Sequence, residues 1–365
     1  MRKTARGAQL IHLAGLMLLI VMFSSLAIDF GYYFAAQNKL QTAADASALA
    51  AADELYRSNA IDPLERQDDA SSVAEDYVTE NEPSLTLDTQ DAAFGYVDPA
   101  TKRYDADQFL TASANPLYAM TGGINAARVT VRRTEGSSNG PLDTIMGKVL
   151  GVNNMSTGAY SVAFLDLGVS SITDGGLRPI YGCQAQLGVA MQDGIPENNV
   201  IQVYGDHMSV DGNSNIAGCP APGSGNWGFA DLRNCNPDAP GANNTATWFN
   251  EGYDGTVSTD QCYSTQSGNF ITNTSVKQAL DSLIANHTII IVPLYNAYSG
   301  SGSNTQVTVS GFTGFVITGY TAQGPASGRH ITGYFTKTLC RNECTTSTNG
   351  GGGGLLAKLR LAYQS

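Results

Sequence analysis

Few residues in this sequence have the type and spacing to do chemistry. Six cysteines, Cys183, Cys219, Cys235, Cys262, Cys340 and Cys344, all lie in the second half of the chain. Thiolates can hold zinc, but such sites use CxxC pairs or histidines at fixed spacing, and neither accompanies these residues. An even number confined to one part of the chain points instead to disulfides in an oxidising compartment. Proximity favours Cys340 with Cys344 and Cys235 with Cys262, without deciding the full connectivity. Asp206-His207 beside Ser209 has the residue types of a nucleophilic triad, yet neighbours in sequence rarely make one, and a turn with a surface histidine is the expectation. Asp211-Gly212-Asn213-Ser214-Asn215 spaces oxygen ligands as calcium loops do. Ile216 and Pro222, however, stand where an EF-hand needs Gly and a bidentate Glu, so a turn is expected there too. Trp227, Phe229 and Trp248, set among Gly and Asn, could form a binding patch; anchoring a loop-rich core is the expected role. No G-x-S-x-G, H-E-x-x-H, P-loop or Rossmann pattern occurs. The reading is of a protein without catalytic residues, cofactor or metal.

What the sequence does carry is one long apolar element near its start. From Leu10 to Ile28 it contains no Asp, Glu, Lys or Arg. Nineteen residues at ~1.5 Å each give about 29 Å, the thickness of a bilayer's hydrocarbon core. Leu10, Leu13, Leu16, Leu19, Phe23, Leu26 and Ile28 are the membrane-anchor residues of this reading, and membrane lipid their partner. Arg2, Lys3 and Arg6 precede the run and Asp29 follows it, so the positive-inside rule puts the N-terminus in the cytoplasm and the body outside. The competing reading is a cleavable signal peptide with Ser25-Leu26-Ala27 at its cleavage site, although the apolar run is longer than the usual core of such peptides.

Residues 30–57 contain no Pro and are rich in Ala, Leu and Gln, so the helix is expected to continue outward as one rod. Phe30, Phe34, Leu40, Ala44, Ala48, Ala51 and Leu55 fall at spacings near three or four and form a packing stripe. Its alanines would let another backbone approach closely. Two uses stay open: packing on the protein's own body, or packing on other subunits, including self-association through the N-terminal helix.

The block RGAQLIHLAGLMLLIVMFSSLAIDFGYYFAAQNKLQTAADASALAAA resembles the N-terminal domain of TadE/TadG-like proteins of the tight-adherence (Tad, or Flp) pilus system. The resemblance rests on Arg6-Gly7, the Ile28-Asp29 step, Tyr32-Tyr33 and the run Leu40 to Ala50. Asn125 to Arg133, Gly140-Pro141 and Gly147 to Gly151, and further on Gly225 to Leu232, Ile290 to Tyr295 and Val309 to Phe312, are similar to stretches of the longer members. The resemblance implies a bacterial, single-pass inner-membrane protein, pilin-like, that acts as a structural or anchoring component alongside pilus or Tad secretion-machinery subunits. A surface adhesin that binds glycan or protein through its distal part is the alternative. His12 stands where processed pilins of that system carry Glu, which implies permanent anchoring. Asp166-Leu167-Gly168-Val169-Ser170 has Gly where a von Willebrand-type metal site needs Ser, which implies a strand end without metal.

The fold expected is α+β. Residues 1–7 form a cytoplasmic tip, 8–28 a transmembrane helix, 29–57 a helical stalk, 58–174 a small pilin-like α+β unit and 175–365 a distal β-rich, disulfide-containing domain. In the first unit, 58–92 reads as a linker with a short helix near Ser72 to Asn81. Strands are expected at 93–97, 127–133 and 160–165, with a short helix over 142–150. In the second, strands are expected at 200–204, 289–295, 306–310, 314–319, 330–337 and 356–363. A helix over 275–286, with a capping box starting at Ser275, and a flexible loop at Gly350 to Gly354 complete it. The formal charge of −12 leaves the body without the positive surface that nucleic acid requires.

Overall fold

The structure, a computed structural model, describes residues 4–98, 100–107, 121–173, 175–203, 208–213, 216–217, 219, 229–233, 235, 242–266, 270–299, 305–324, 328–340, 343–347 and 353–362. It is an α+β fold. Its first element, α1, is one uninterrupted helix, Thr4–Arg57, about 80 Å long at ~1.5 Å per residue. The interior has no Pro, and Gly15 and Gly31 have nothing close by to bend them. Helix α2, Pro63–Asn81, packs back along it.

The expected linker is therefore mostly helix. Asp62 caps α2, its side chain accepting from the Leu64 amide at 3.0 Å, and Pro63 stands at the first turn, where its missing N–H costs nothing. The dipeptide that looks like a breaker is a start signal. Arg66, Ala70, Ala74 and Val78, four apart, form the buried face.

Strands follow in chain order: β1 Ala92–Val97, β2 Tyr104–Asp105, β3 Ala126–Arg133, β4 Leu142–Asp143, β5 Asn154–Met155, β6 Thr157–Asp166 and β7 Val169–Thr173. After β8 Gly182–Cys183 come β9 Ile201–Val203, β10 Ser209–Val210, β11 Ala230–Asp231, β12 Val257–Ser258 and β13 Cys262–Thr265. The last are β14 Ile289–Ser299, β15 Gln306–Thr321, β16 His330–Thr336, β17 Thr338–Leu339, β18 Glu343–Thr346 and β19 Leu356–Leu361. Short helices at Gln184–Ala190 and Ala242–Asn250 had no sequence expectation.

A proximal sheet runs in the order β17-β19-β6-β3-β1-β2. Alternation along β3 sends Val129 and Val131 to the helices, where they meet Leu40, Ala44, Ala48 and Leu55 of α1 and Ala74 of α2. The opposite face gathers Val97, Ala126, Val162 and Phe164. The 356–361 strand, grouped by sequence with the distal unit, belongs to this sheet: Leu359 pairs with Leu165 and Leu361 with Ala163. Its alternating pattern satisfies any sheet with one covered face, and the free flank of β6 is where such a face exists. The proximal sheet thus takes one strand pair from beyond residue 174.

The distal sheet runs β10-β9-β16-β15-β13-β11, with β14 also paired to β15. One strand replaces the two expected around residue 311. Gly311 and Gly314 do not break it; they mark close approach, since a Cβ at Gly314 would lie 2.6 Å from the Thr336 carbonyl oxygen. The same logic corrects the glycine run. Gly353 and Gly354 are packed, and a side chain on Gly354 would overlap the backbone of Phe312; Gly350 to Gly352 lie outside the described residues. In place of a 142–150 helix there is a β4–β5 hairpin whose tip carries a single 3-10 turn, Gly147–Leu150, closed by Gly151 at φ 83°. Helix Thr274–Ala285 is capped by Asn273, whose carboxamide oxygen accepts from the Ser275 amide at 2.9 Å. That leaves Ser275 inside the helix instead of at its cap.

Candidate functional site

Helix α1 meets two different surroundings. Leu10, Leu13, Leu16, Leu19, Phe23, Leu26 and Ile28 lie on all sides of its first part, each between 48% and 70% exposed. It is the one helix among the described residues long and apolar enough to cross a membrane. A helix apolar all round and uncovered by protein is stable only in an apolar solvent. This fits a single-pass membrane anchor.

Beyond residue 36 the same helix sinks into the proximal core. Leu40, Ala43, Ala44, Ala48, Ala51, Ala52 and Leu55 are buried against α2 and the sheet. The alanine face thus meets the protein's own body. Phe30 and Phe34 do not pack there: both are exposed and stack on each other at 6.3 Å between ring centroids. They precede Leu40, the first core residue of the helix, by about three and two turns.

The rod is fastened to the body at two heights by contacts that sequence reading missed. At the outer end, the buried Tyr56 hydroxyl accepts from the Thr338 amide at 3.0 Å and donates to the Leu355 carbonyl. Lys337 donates to the Arg57 and Ser58 carbonyls at 3.1 and 2.9 Å, filling acceptors that the end of α1 leaves open. Burial, with Arg66 nearby, pulls the Lys337 ammonium down to a pKa of about 8. At the inner end, Asp29 accepts from the Ile145 and Met146 amides at 2.8 and 3.1 Å. Loss of hydration would raise the Asp29 carboxyl, but the amides of Met146, Ile145 and Gly147 together outweigh it and hold it below the usual carboxylate range. Asp29 was visible as a motif residue; its partners, more than a hundred positions away, were not.

The cysteines form three disulfides: Cys183–Cys219, Cys235–Cys262 and Cys340–Cys344. The first fixes the start of the Gln184–Ala190 helix, and the third ties Cys340, just after β17, to Cys344 in β18. Among the described residues no cluster of three His, Cys, Asp or Glu is arranged to hold a metal. Ser209 is buried and its hydroxyl donates to Gln202 at 3.0 Å, while Asp206 and His207 lie outside the described residues. Asp211 sits in a turn at φ 50° and accepts from the Val200 amide. Phe229 packs edge-on against Phe249, and Trp248 against Tyr253; Trp227 is outside the described residues. Asp166 ends β6 and accepts from the Thr346 hydroxyl at 2.5 Å.

Fold and helix together define a class: an α+β body carried on one continuous apolar helix. Residues 10–54 match the family model described as "Putative Flp pilus-assembly TadE/G-like", in agreement with the resemblance seen in the first sixty residues. The matched segment is the exposed span plus the buried stalk. No curated protein and no solved structure matches the chain.

Proposed function

We propose that this protein is a structural, pilin-like anchoring component of a Tad/Flp-type pilus apparatus. Its N-terminus lies in the cytoplasm, its helix crosses the inner membrane once, and its disulfide-bonded body lies beyond the bilayer in contact with pilus or secretion-machinery subunits. The observation that supports this best is the unbroken passage of α1 from an uncovered apolar span into a stalk embedded in the core. Such a helix transmits load from membrane to body without a flexible joint. The family match over the same residues points to the pilus system. The −12 charge argues against a nucleic-acid partner.

The test combines deletion of the gene with fractionation and N-terminal sequencing of the protein. Loss of pili on deletion, with an intact N-terminus in the membrane pellet, is the expected result. Normal pili with weakened adhesion would transfer the role to a surface adhesin. A new terminus beginning at Ala8 would replace permanent anchoring by pilin-like export.

A further inference from the structure

We propose that the tip of the β4–β5 hairpin, residues 145–152, is a second membrane contact: a rigid finger lying in the outer interface of the bilayer beside α1. The proposal rests on the anchor reading above and adds a site to it.

Surface loops are ordinarily polar, yet this tip exposes Ile145 at 56%, Val149 at 81% and Val152 at 49%. Three aliphatic side chains turned outward within eight residues form an apolar patch at one end of the body. Its height relative to the membrane is set by the Asp29 carboxylate, which holds the Ile145 and Met146 amides and immediately follows the last apolar residue of the span. Between Leu10 and Tyr32 only Ser25 and Asp29 are buried, four apart on one face of α1. Ser25 lies inside the apolar run, about 5 Å inward of its end at ~1.5 Å per residue. A tip docked at Asp29 therefore stands at the headgroup boundary, within the ~5–10 Å over which interfacial apolar side chains insert.

Two further features fit a lipid surface. Phe30, Tyr32 and Phe34 are exposed on α1 within about 8 Å of Asp29 along the axis at ~1.5 Å per residue, in the zone where aromatic rings favour the membrane–water interface. The tip is also preformed. The Thr144 hydroxyl donates to the Val152 carbonyl at 2.6 Å, the Thr144 amide to Asn153 at 3.1 Å and the Val152 amide to Gly147 at 3.0 Å. Lys148, half exposed, lies 3.6 Å from the exposed Asp143 carboxylate, which keeps the charged groups of the hairpin together at its base.

The test places single cysteines, labelled with an environment-sensitive fluorophore, in the full chain. They replace Val149 at the tip, Phe23 in the span and the exposed Val200 just before β9. The protein is reconstituted in phosphatidylcholine–phosphatidylglycerol vesicles that carry a doxyl group near the headgroup. Quenching at position 149 several-fold above that at 200, together with quenching at 23, is the expected result. Quenching at 23 with none at 149 overturns the finger and leaves the anchor standing. Absence at both positions overturns both. Pyrene at 149 that gives excimer emission rising with protein density, without lipid quenching, assigns the tip to a second copy of the chain and likewise overturns the proposal.

Discussion

The two halves of α1 have similar local propensity and opposite surroundings. In the span, bulky Leu, Ile, Phe and Met project all round and touch little protein; in the stalk, small alanines face a sheet and a second helix. The contrast shows that side-chain size distinguishes the solvent each half is made for. Large apolar groups fill a fluid hydrocarbon phase, whereas alanines let α2 and the strands approach closely enough to exclude water.

The sharpest way to break this comparison is to charge the first half. Replacing Leu16 and Leu19 together by Arg should cost about 5–7 kcal/mol of insertion, at ~2.5–3.5 kcal/mol per central Arg. The protein should leave the carbonate-resistant membrane pellet while its body keeps the same thermal midpoint. A lowered midpoint would mean that the span belongs to the folded core. The next largest effect belongs to the second half: Leu55→Ala should destabilise the body by about 2–5 kcal/mol in denaturant unfolding. Phe34→Ala, at an exposed position, should stay within about 0.5 kcal/mol, and equal losses would erase the distinction between the halves.

An effect smaller than that of Leu55→Ala sharpens the outer fastening. Lys337 gives up its proton near pH 8 when folded and near 10.5 when unfolded. The unfolded chain thus binds more protons within that window, and stability should rise with pH there, by about 1 kcal/mol between pH 8 and 9. Chemical denaturation at the two pH values should show this gain in the native sequence and lose it in Lys337→Met.

Much of this architecture was legible because it is local. The span, its helical continuation and most strands are written in windows of ten to twenty residues, where apolar period and β-branched content decide the outcome. The alanine stripe was legible as a stripe, but its partner was not, because small residues suit a sheet and a neighbouring helix equally. The linker reading of 58–92 and the cap at Ser275 missed Asp62 and Asn273 for a different reason: capping depends on which side chain wins a backbone amide, and adjacent residues compete for it. The partners of Asp29, Tyr56, Lys337 and β19 were unreadable because each lies far away in sequence. Nothing in a carboxylate or an ammonium says whose amide or carbonyl it will meet.

One such long-range pairing bears on the order of events during synthesis. Strand β6 sits between β3 and β19, and β19 comes from the far end of the chain. Until Leu361 has left the ribosome and reached its place, β6 presents a bare edge and the platform beneath the stalk lacks a strand. Residues 10–28 precede that strand by more than three hundred positions. A chain cut or stalled before β19 therefore keeps an open, aggregation-prone edge on β6.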